Sequence, residues 1–490
     1  MNSNPRNIDV DVIAPPDRRR FLSTAGLGLA GVALESLLQR EARAVDARQP
    51  GPHFAPRAKS VVWLMMRGGV SHLESFDPKP ELDKYDGKTI GETPHAEQVV
   101  NSKFFANVRE QVANNVIKTD KARLWKTQVG FGKGGQSGLD VSDWWPHVRA
   151  RADDLAVIRS MWTTDNNHGA QLQFMSGRHL LDGCFPTIGS WIHYGLGSLN
   201  DNLPQFVSMG PPLESQCFDG LGAHYLGPEH AGVQLTVNPN DPLPYGRAKN
   251  PPSADVQRIK QELLGQLNGL TAQRFADDEQ LRARIKSFEL AFRMQATIPE
   301  VMRLQDETDE TQRLYGVDQA QTKAFGQQLL ATRRMVEKGV RFIQLFHGGG
   351  AAGAWDAHTK LVNNHTGLCG RVDKPIAGFL EDMKRRGLLD ETIVLWTTEF
   401  GRTPGKQGAD GRDHHNYGFS IWMAGAGIRG GAVHGATDEI GFHAVEDRHY
   451  VTDIHATVFH LLGLDARRLS LPGRIRLERD YGDVIHGVLS

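Results

Sequence analysis

The sequence predicts an α/β fold, a mixed but largely parallel sheet sandwiched by helices, with a helical insertion. Three segments of the last third each join an apolar strand-like run to glycine and to an acid or histidine. They are Val340 to His358 (VRFIQLFHGGGAAGAWDAH), Thr392 to Pro404 (TIVLWTTEFGRTP) and Gly411 to Gly427 (GRDHHNYGFSIWMAGAG), where the cluster comes just before the run. Apolar runs of this length, separated by helical stretches, fit parallel strands buried on both faces. The 490 residues, 39% of them hydrophobic and 8% aromatic, suffice for one large domain or two.

Residues 1–44 stand apart from the fold. Asp17-Arg18-Arg19-Arg20-Phe21-Leu22 leads into a weakly apolar run ending at Leu34, followed by the small-x-small sequence Ala42-Arg43-Ala44. Paired arginines before a short Gly/Ala-rich run predict a cleaved twin-arginine signal and export to the periplasm or beyond. The run is shorter than the roughly 20 residues of a membrane span. No other stretch is long and apolar enough, so the mature chain is expected to have no stable membrane span. The full chain has net charge −1, and loss of residues 1–44 leaves −2. Neither value draws the protein to nucleic acid or to an anionic membrane.

Residues 45–57 read as a linker, 58–470 as the main domain and 471–490 as a C-terminal tail. Ser60 to Met66 (SVVWLMM) is the first strand. Glu81 to Ser142 is polar and weakly periodic, and is expected to wrap the core. Leu155 to Arg159 and Gln205 to Met209 read as strands, Asn167 to Arg178 and Thr187 to Leu196 as helices. Residues 210–252, rich in Gly, Pro and Asn, read as loop. Residues 253–338 form the insertion. Its amphipathic helices carry apolar residues at three and four spacing, such as Ile259, Leu263, Leu264 and Leu267. A charged helical stretch of this kind is a solvated face, a cap or a partner surface. Asp453 to Leu462 is the closing helix. Cys184, Cys217 and Cys369 make no disulfide framework and no zinc knuckle, and read as buried thiols.

Ligands of open α/β sheets sit beyond the carboxyl ends of the strands. That rule gathers Asp356, His358, Glu399, Asp413, His414 and His415 into one cleft. Carboxylates and imidazoles converging there suit a divalent metal ion, zinc, calcium or manganese, and metal-assisted ester hydrolysis. Asp356 and His358 reach one ion if the backbone turns tightly, as the glycines at 348–350 and 353 allow. Glu399 ends a buried strand, where a carboxylate must be paired or metal-bound. Arg402 is either its partner or a clamp for an anionic substrate oxygen. His414 and His415 point in different directions, so one binds metal and the other makes a supporting contact. Asn167 and His168 precede a helix. The histidine is a candidate general acid or base and the asparagine a cap or anion contact. Gly68 to Asp77 offers Ser71, His72, Glu74 and Asp77 beside a strand end, without the spacing of a triad.

Long segments resemble a known family in unbroken order. GGVSHLESFDPKP, NNHGAQLQFMSGR, ETDETQRLYG, GVRFIQLFHGGG, WDAH, DKPIAGFLEDMKRRGLLDETIVLWTTEFGRTP, GRDHHNYGFSIWMAGAGIRGG and DIHATVFHLLGLD span residues 60–465. They are similar to the exported domain-of-unknown-function family fifteen-oh-one, grouped with the alkaline phosphatase and sulfatase superfamily. The resemblance implies an alkaline-phosphatase-like sheet with a metal site at its carboxyl edge. It also implies a small-molecule or glycan ester of sulfate or phosphate as substrate.

Asp356 and His358 look like the superfamily's Asp and His ligands. Glu399-Phe400 stands where an Asp-His pair is usual, and His414 or His415 where the last His ligand stands. Two departures matter. The nucleophile position falls at Asn167 or His168, with no Ser, Thr or Cys, and Arg67-Gly68 replaces the usual Asp after the first strand. The resemblance thus implies a hydrolase with its metal at Asp356, His358, Glu399 and His414 or His415. Arg402 or Arg67 would stabilise the anionic transition state and His168 protonate the leaving oxygen. The alternative is an exported binding protein whose degenerate site takes anionic glycans or a protein partner. The sequence leaves the oligomeric state open.

Overall fold

Ser60–Met66 (β1) carries no polar side chain after its serine, and all seven residues are buried. Val62, Leu64 and Met66 enter one hydrophobic core, while Val61, Trp63 and Met65 enter another. A strand alternates its side chains between faces, so a strand that is apolar throughout must lie between two layers. Each of these side chains contributes about 1.5–3 kcal/mol by leaving water.

The computed structural model describes residues 51–100, 102–104, 123–213, 221–238, 242–243, 253–275, 278–471, 477 and 480–490. The signal expected over residues 1–44 lies outside the described residues, as do parts of the 210–252 loop and of the tail. Residues Pro52–Ser490 form one unit. Its main sheet has nine strands: β1, Leu155–Trp162 (β2), Phe206–Met209 (β3), Val233–Leu235 (β4), Phe342–His347 (β5), Thr392–Thr397 (β6), Phe419–Gly425 (β7), Ala432–His434 (β8) and His449–Tyr450 (β9). Their order is β8-β2-β7-β6-β1-β5-β3-β4, with β9 on the edge of β2 that β8 also lines.

Helices cover both faces. Ala170–Ser176 (α1), Ile188–Leu196 (α2) and Val451–Leu461 (α7) pack Phe174, Met175, Ile192, Ile454 and Val458 against one face. Lys323–Glu337 (α5) and Leu361–Arg385 (α6) bring Leu329, Leu330, Val372, Ile376 and Phe379 to the other. The insertion begins with a helix pair, Ala254–Arg274 (α3) and Glu279–Val301 (α4). Of this pair, among the described residues, the second half of α4 joins the core, through Met294, Ile298 and Val301 with Leu290 packed against them.

Three expectations change. β7 is antiparallel to both β6 and β2, whereas β1, β3, β4, β5 and β6 run parallel. Its direction explains why the Asp-His-His cluster precedes its apolar run. The start of an antiparallel strand lies at the same sheet edge as the ends of its neighbours. The helix expected from Asn167 begins at Ala170, leaving residues 166–169 as an approach loop, and it stops at Gly177 with φ 71°. Cys184 is disulfide-bonded, and Cys369 is a free, buried thiol.

The core holds histidines that burial keeps neutral. His72, His193, His347 and His443 are each pushed down to about 4 by burial. The unfolded chain protonates these rings near pH 6.5, the folded chain only near 4. Between those values the unfolded state holds more protons, so stability falls as pH falls, by about 1.4 kcal/mol per unit for each ring. Above pH 6.5 these rings contribute no slope. Thermal unfolding at pH 5 should therefore occur well below the temperature found at pH 7.5. Equal transitions would mean that solvent protons reach the four rings in the folded state.

Candidate metal centre

The site forms where the carboxyl ends of β1, β5 and β6 meet the start of β7. Two glycines permit the approach. Gly68 has φ 121°, and a Cβ on it would collide with the backbone of Trp355 and Asp356. A Cβ on Gly411 would collide with the His358 carbonyl. Trp355 is anchored by its indole N–H, which donates to His347 Nδ1 at 3.0 Å. The loop after β5 is thus pressed against both β1 and the segment leading into β7.

Asp356 is the hub. His414 Nε2 lies 3.0 Å and His358 Nε2 3.1 Å from Asp356 Oδ1, and His168 Nε2 lies 3.4 Å from Oδ2. His358 Nε2 and His414 Nε2 are themselves 3.0 Å apart. The outer nitrogen of each ring faces an oxygen. His168 Nδ1 is 3.1 Å from Glu399 Oε1, and His414 Nδ1 is 2.8 Å from the Asn166 carbonyl. His358 Nδ1 lies 2.5 Å from Gln407 Oε1 and 3.5 Å from Asp413 Oδ1. A carbonyl or carboxylate accepts an N–H, so these contacts place the proton on Nδ1. When an ion binds, the neutral rings of His358 and His414 direct their Nε2 lone pairs inward, the arrangement metal-binding histidines use, whereas His168, held cationic, keeps a proton on Nε2 as well.

These donor atoms fit a cation. Two overlapping sets lie close enough to share an ion, His168–Asp356–His414 and His358–Asp413–His414. Two imidazole nitrogens facing each other at 3.0 Å must share a proton or a cation. Imidazole with carboxylate is the donor chemistry of zinc and related transition metals, whereas calcium takes oxygen ligands.

The charges are interdependent. Burial works against ionisation of Asp356, but hydrogen bonds from the three histidines and the Arg402 charge outweigh it. They hold the carboxyl well below the ordinary range. Burial pulls His168 down, yet the hydrogen bonds it gives to Asp356 and Glu399 raise it to about 9. His358 is raised, first by Asp356, and His414 is lowered by burial.

The structure sorts the candidate residues into distinct places. Asp356, His358, His414 and His168 meet. Glu399 stands behind them, wholly buried. Its oxygens accept the Gly68 N–H at 2.8 and 3.0 Å and the Gln171 amide at 2.9 Å, besides His168. Arg402 is also wholly buried and spends its donors on the carbonyls of Gly68, Gly69, Trp355 and Arg412 and on Asp356 Oδ1, at 2.8 Å. It therefore fixes Asp356 and presents no free edge to a substrate. Arg67 is likewise engaged, with Gln171 and the carbonyls of Pro211, Pro212 and Gly350.

Asn167 is exposed. Its backbone N–H goes to Asp165, and its side chain accepts the N–H of His168. His415 turns away from the cluster, stacks on His72 and bonds the Phe442 carbonyl. Neighbours along an extended chain point to opposite sides, so His414 and His415 could not both reach the ion. The Gly68 to Asp77 segment is structural. Glu74 pairs with Arg412 at 2.6 Å and accepts from Ser71, while Asp77 pairs with Lys79 at 3.0 Å.

Gln171 and Gln407 were not apparent as site residues. Gln171 sits three positions after His168, a weak clue from helical spacing. Gln407 comes from a Gly-rich turn, and nothing local ties it to His358.

The chain belongs to the family described as Protein of unknown function (DUF1501), which matches residues 58–489. No curated protein matches the sequence. Among solved structures, the chain is similar to the alkaline phosphatase of the Antarctic bacterium TAB5, with 10% identity over 85% of this chain and 100% of that one and a TM-score of 0.32. It is similar to the PsFucS1 sulfatase from Pseudoalteromonas sp., with 11% identity over 90% and 72% of the two chains and a TM-score of 0.32. It is also similar to the zinc complex of the C-terminal periplasmic domain of EcEptC from Escherichia coli, with 8% identity over 86% and 88% and a TM-score of 0.34.

Replacing Arg402 tests the scaffold under the site. Arg402→Met leaves Asp356 without its guanidinium and four buried carbonyls without a donor. The loss should be about 3–5 kcal/mol of unfolding free energy, measured by urea denaturation. A change below about 1 kcal/mol would show that the loops around Asp356 hold without it.

Proposed function

We propose that the protein is an exported, metal-dependent hydrolase of phosphate or sulfate esters, its ion held by Asp356 Oδ1, His358 Nε2 and His414 Nε2. The observation that carries this reading is the convergence of those donors with each outer ring nitrogen already engaged. Three protein donors with one open side are typical of a catalytic rather than a structural site. The open side is at His358 and Asp356, whose side chains are 36% and 19% exposed. The imidazole content favours zinc over calcium or manganese. The paired arginines near the N-terminus support a periplasmic location.

A divalent ion at these residues supplies Lewis acidity to an ester oxygen and brings the pKa of a water to about 7. The chain's own groups do the rest. Arg402 holds Asp356 in place. Glu399, itself fixed by Gly68 and Gln171, orients His168 and stabilises its cationic form. His168 Nε2 faces the open side and is placed to give its proton to the leaving oxygen. With no hydroxyl or thiol at positions 167 and 168, water is the nucleophile. That same lack favours one alternative, a protein that binds anionic glycans without turnover.

Elemental analysis of protein purified without added metal tests the assignment. About one equivalent of a transition metal should be present and should be lost in Asp356→Ala/His358→Ala. His168→Gln should keep the metal and lose roughly 10²–10⁴-fold in turnover of aryl phosphates or aryl sulfates. Absence of metal from the parent protein would overturn the hydrolase reading. Metal without turnover of either ester class would favour the binding role.

A further inference from the structure

Among the described residues, the largest concentration of exposed apolar side chains lies on α3, which contributes no residue to the metal centre. Val256, Ile259, Leu263, Leu267 and Leu270 are between 43% and 65% exposed. At 3.6 residues per turn they fall within a stripe about 80° wide. The helix does not use that stripe to hold its neighbour. It meets α4 through Gln257, whose amide donates to Gln295 Oε1 at 2.6 Å, on a face about 120° round from Leu263. Single exposed leucines are ordinary, but a continuous stripe of five is not.

The stripe has the layout of a two-helix seam. Val256, Leu263 and Leu270 repeat every seven residues, Ile259 stands between the first two, and between the next two the equivalent place is Gln266, with Leu267 beside it one heptad after Lys260. Charge divides across it. Asp255 and Glu262 flank one side, with Arg258 between them at 3.7 and 3.4 Å, and Lys260 the other. A parallel pair related by a two-fold axis sets Val256, Leu263 and Leu270 against the same residues of the second copy. It also places Asp255 beside Lys260 of the second copy, at the five-residue offset of facing flanks in parallel coiled coils. An antiparallel pair would set each Asp255–Arg258–Glu262 flank against its own kind and leave Lys260 without a facing acid. Half-exposed side chains of this size amount to roughly 1,000 Å² over two copies, the low end for a specific interface.

We infer that the protein is a homodimer in which the α3 stripes of two copies pack in parallel. The metal centre draws no residue from this surface, so the dimer and the proposed hydrolase stand or fall separately.

Light scattering on the full chain at micromolar concentration should give twice the monomer mass. Leu263→Glu/Leu267→Glu should give the monomer mass with unchanged circular dichroism, because both side chains already face solvent. Val256→Cys should cross-link to its own kind under mild oxidation, because parallel pairing sets Val256 against Val256 whereas antiparallel pairing of the same stripe sets it against Leu270. A monomeric parent protein would overturn the proposal, whether the stripe is covered by the chain's own N-terminal segment or by another protein. So would a dimer that survives the double glutamate variant, or a Val256→Cys chain that does not cross-link.

Discussion

One carboxylate organises this molecule's working edge. Asp356 is approached by three imidazole Nε2 atoms and one buried guanidinium, from four separate chain segments. Burying a charge is costly unless opposite charge or donors surround it. Here the surroundings are built in layers. Arg402 ties Asp356 to the carbonyls after β1, and Glu399 ties His168 to the Gly68 N–H. The strand ends cannot shift independently without breaking that network.

Behind the hub, a second buried arginine extends the same logic. Arg412 immediately precedes Asp413 and His414. It pairs with Glu74 at 2.6 Å and donates to the carbonyls of Thr403, Pro404, Trp125 and Lys126. Arg402 and Arg412 thus bracket the loop that delivers His414, and both anchor it to the segment after β1. A buried pair is weak evidence for net stability, but losing one partner is costly. The value of these arginines here lies in geometry. A metal site needs its donors held within a fraction of an ångström, and loops alone do not provide that.

The layered α/β architecture was legible because its strands are apolar on both faces, as in SVVWLMM and TIVLWT. Strand direction was not. Local pattern is the same for parallel and antiparallel strands, and only the position of the acid and histidine cluster before Phe419 hinted at reversal. Residue identity also read better than residue role. Asp356, His358 and His414 read as one group, with Glu399, Asp413 and His415, from their places at strand ends, whereas His168 reads only as a residue preceding a helix. Glu399 looked like a ligand because a buried carboxylate needs a partner, yet its partners are Gly68, Gln171 and His168. Arg402 looked available to substrate, but burial and five acceptors claim it. His415 differs from His414 only in pointing the other way. Gln407 reaches His358 through loop closure across 49 positions, which no local pattern encodes.

The most direct test of the account is X-ray absorption at the edge of whatever metal the protein carries when isolated. A shell of nitrogen and oxygen at about 2.0–2.2 Å, with the outer scattering of two imidazoles, is the predicted result. An all-oxygen shell at about 2.3–2.6 Å would contradict it, because His358 and His414 would then not hold the ion.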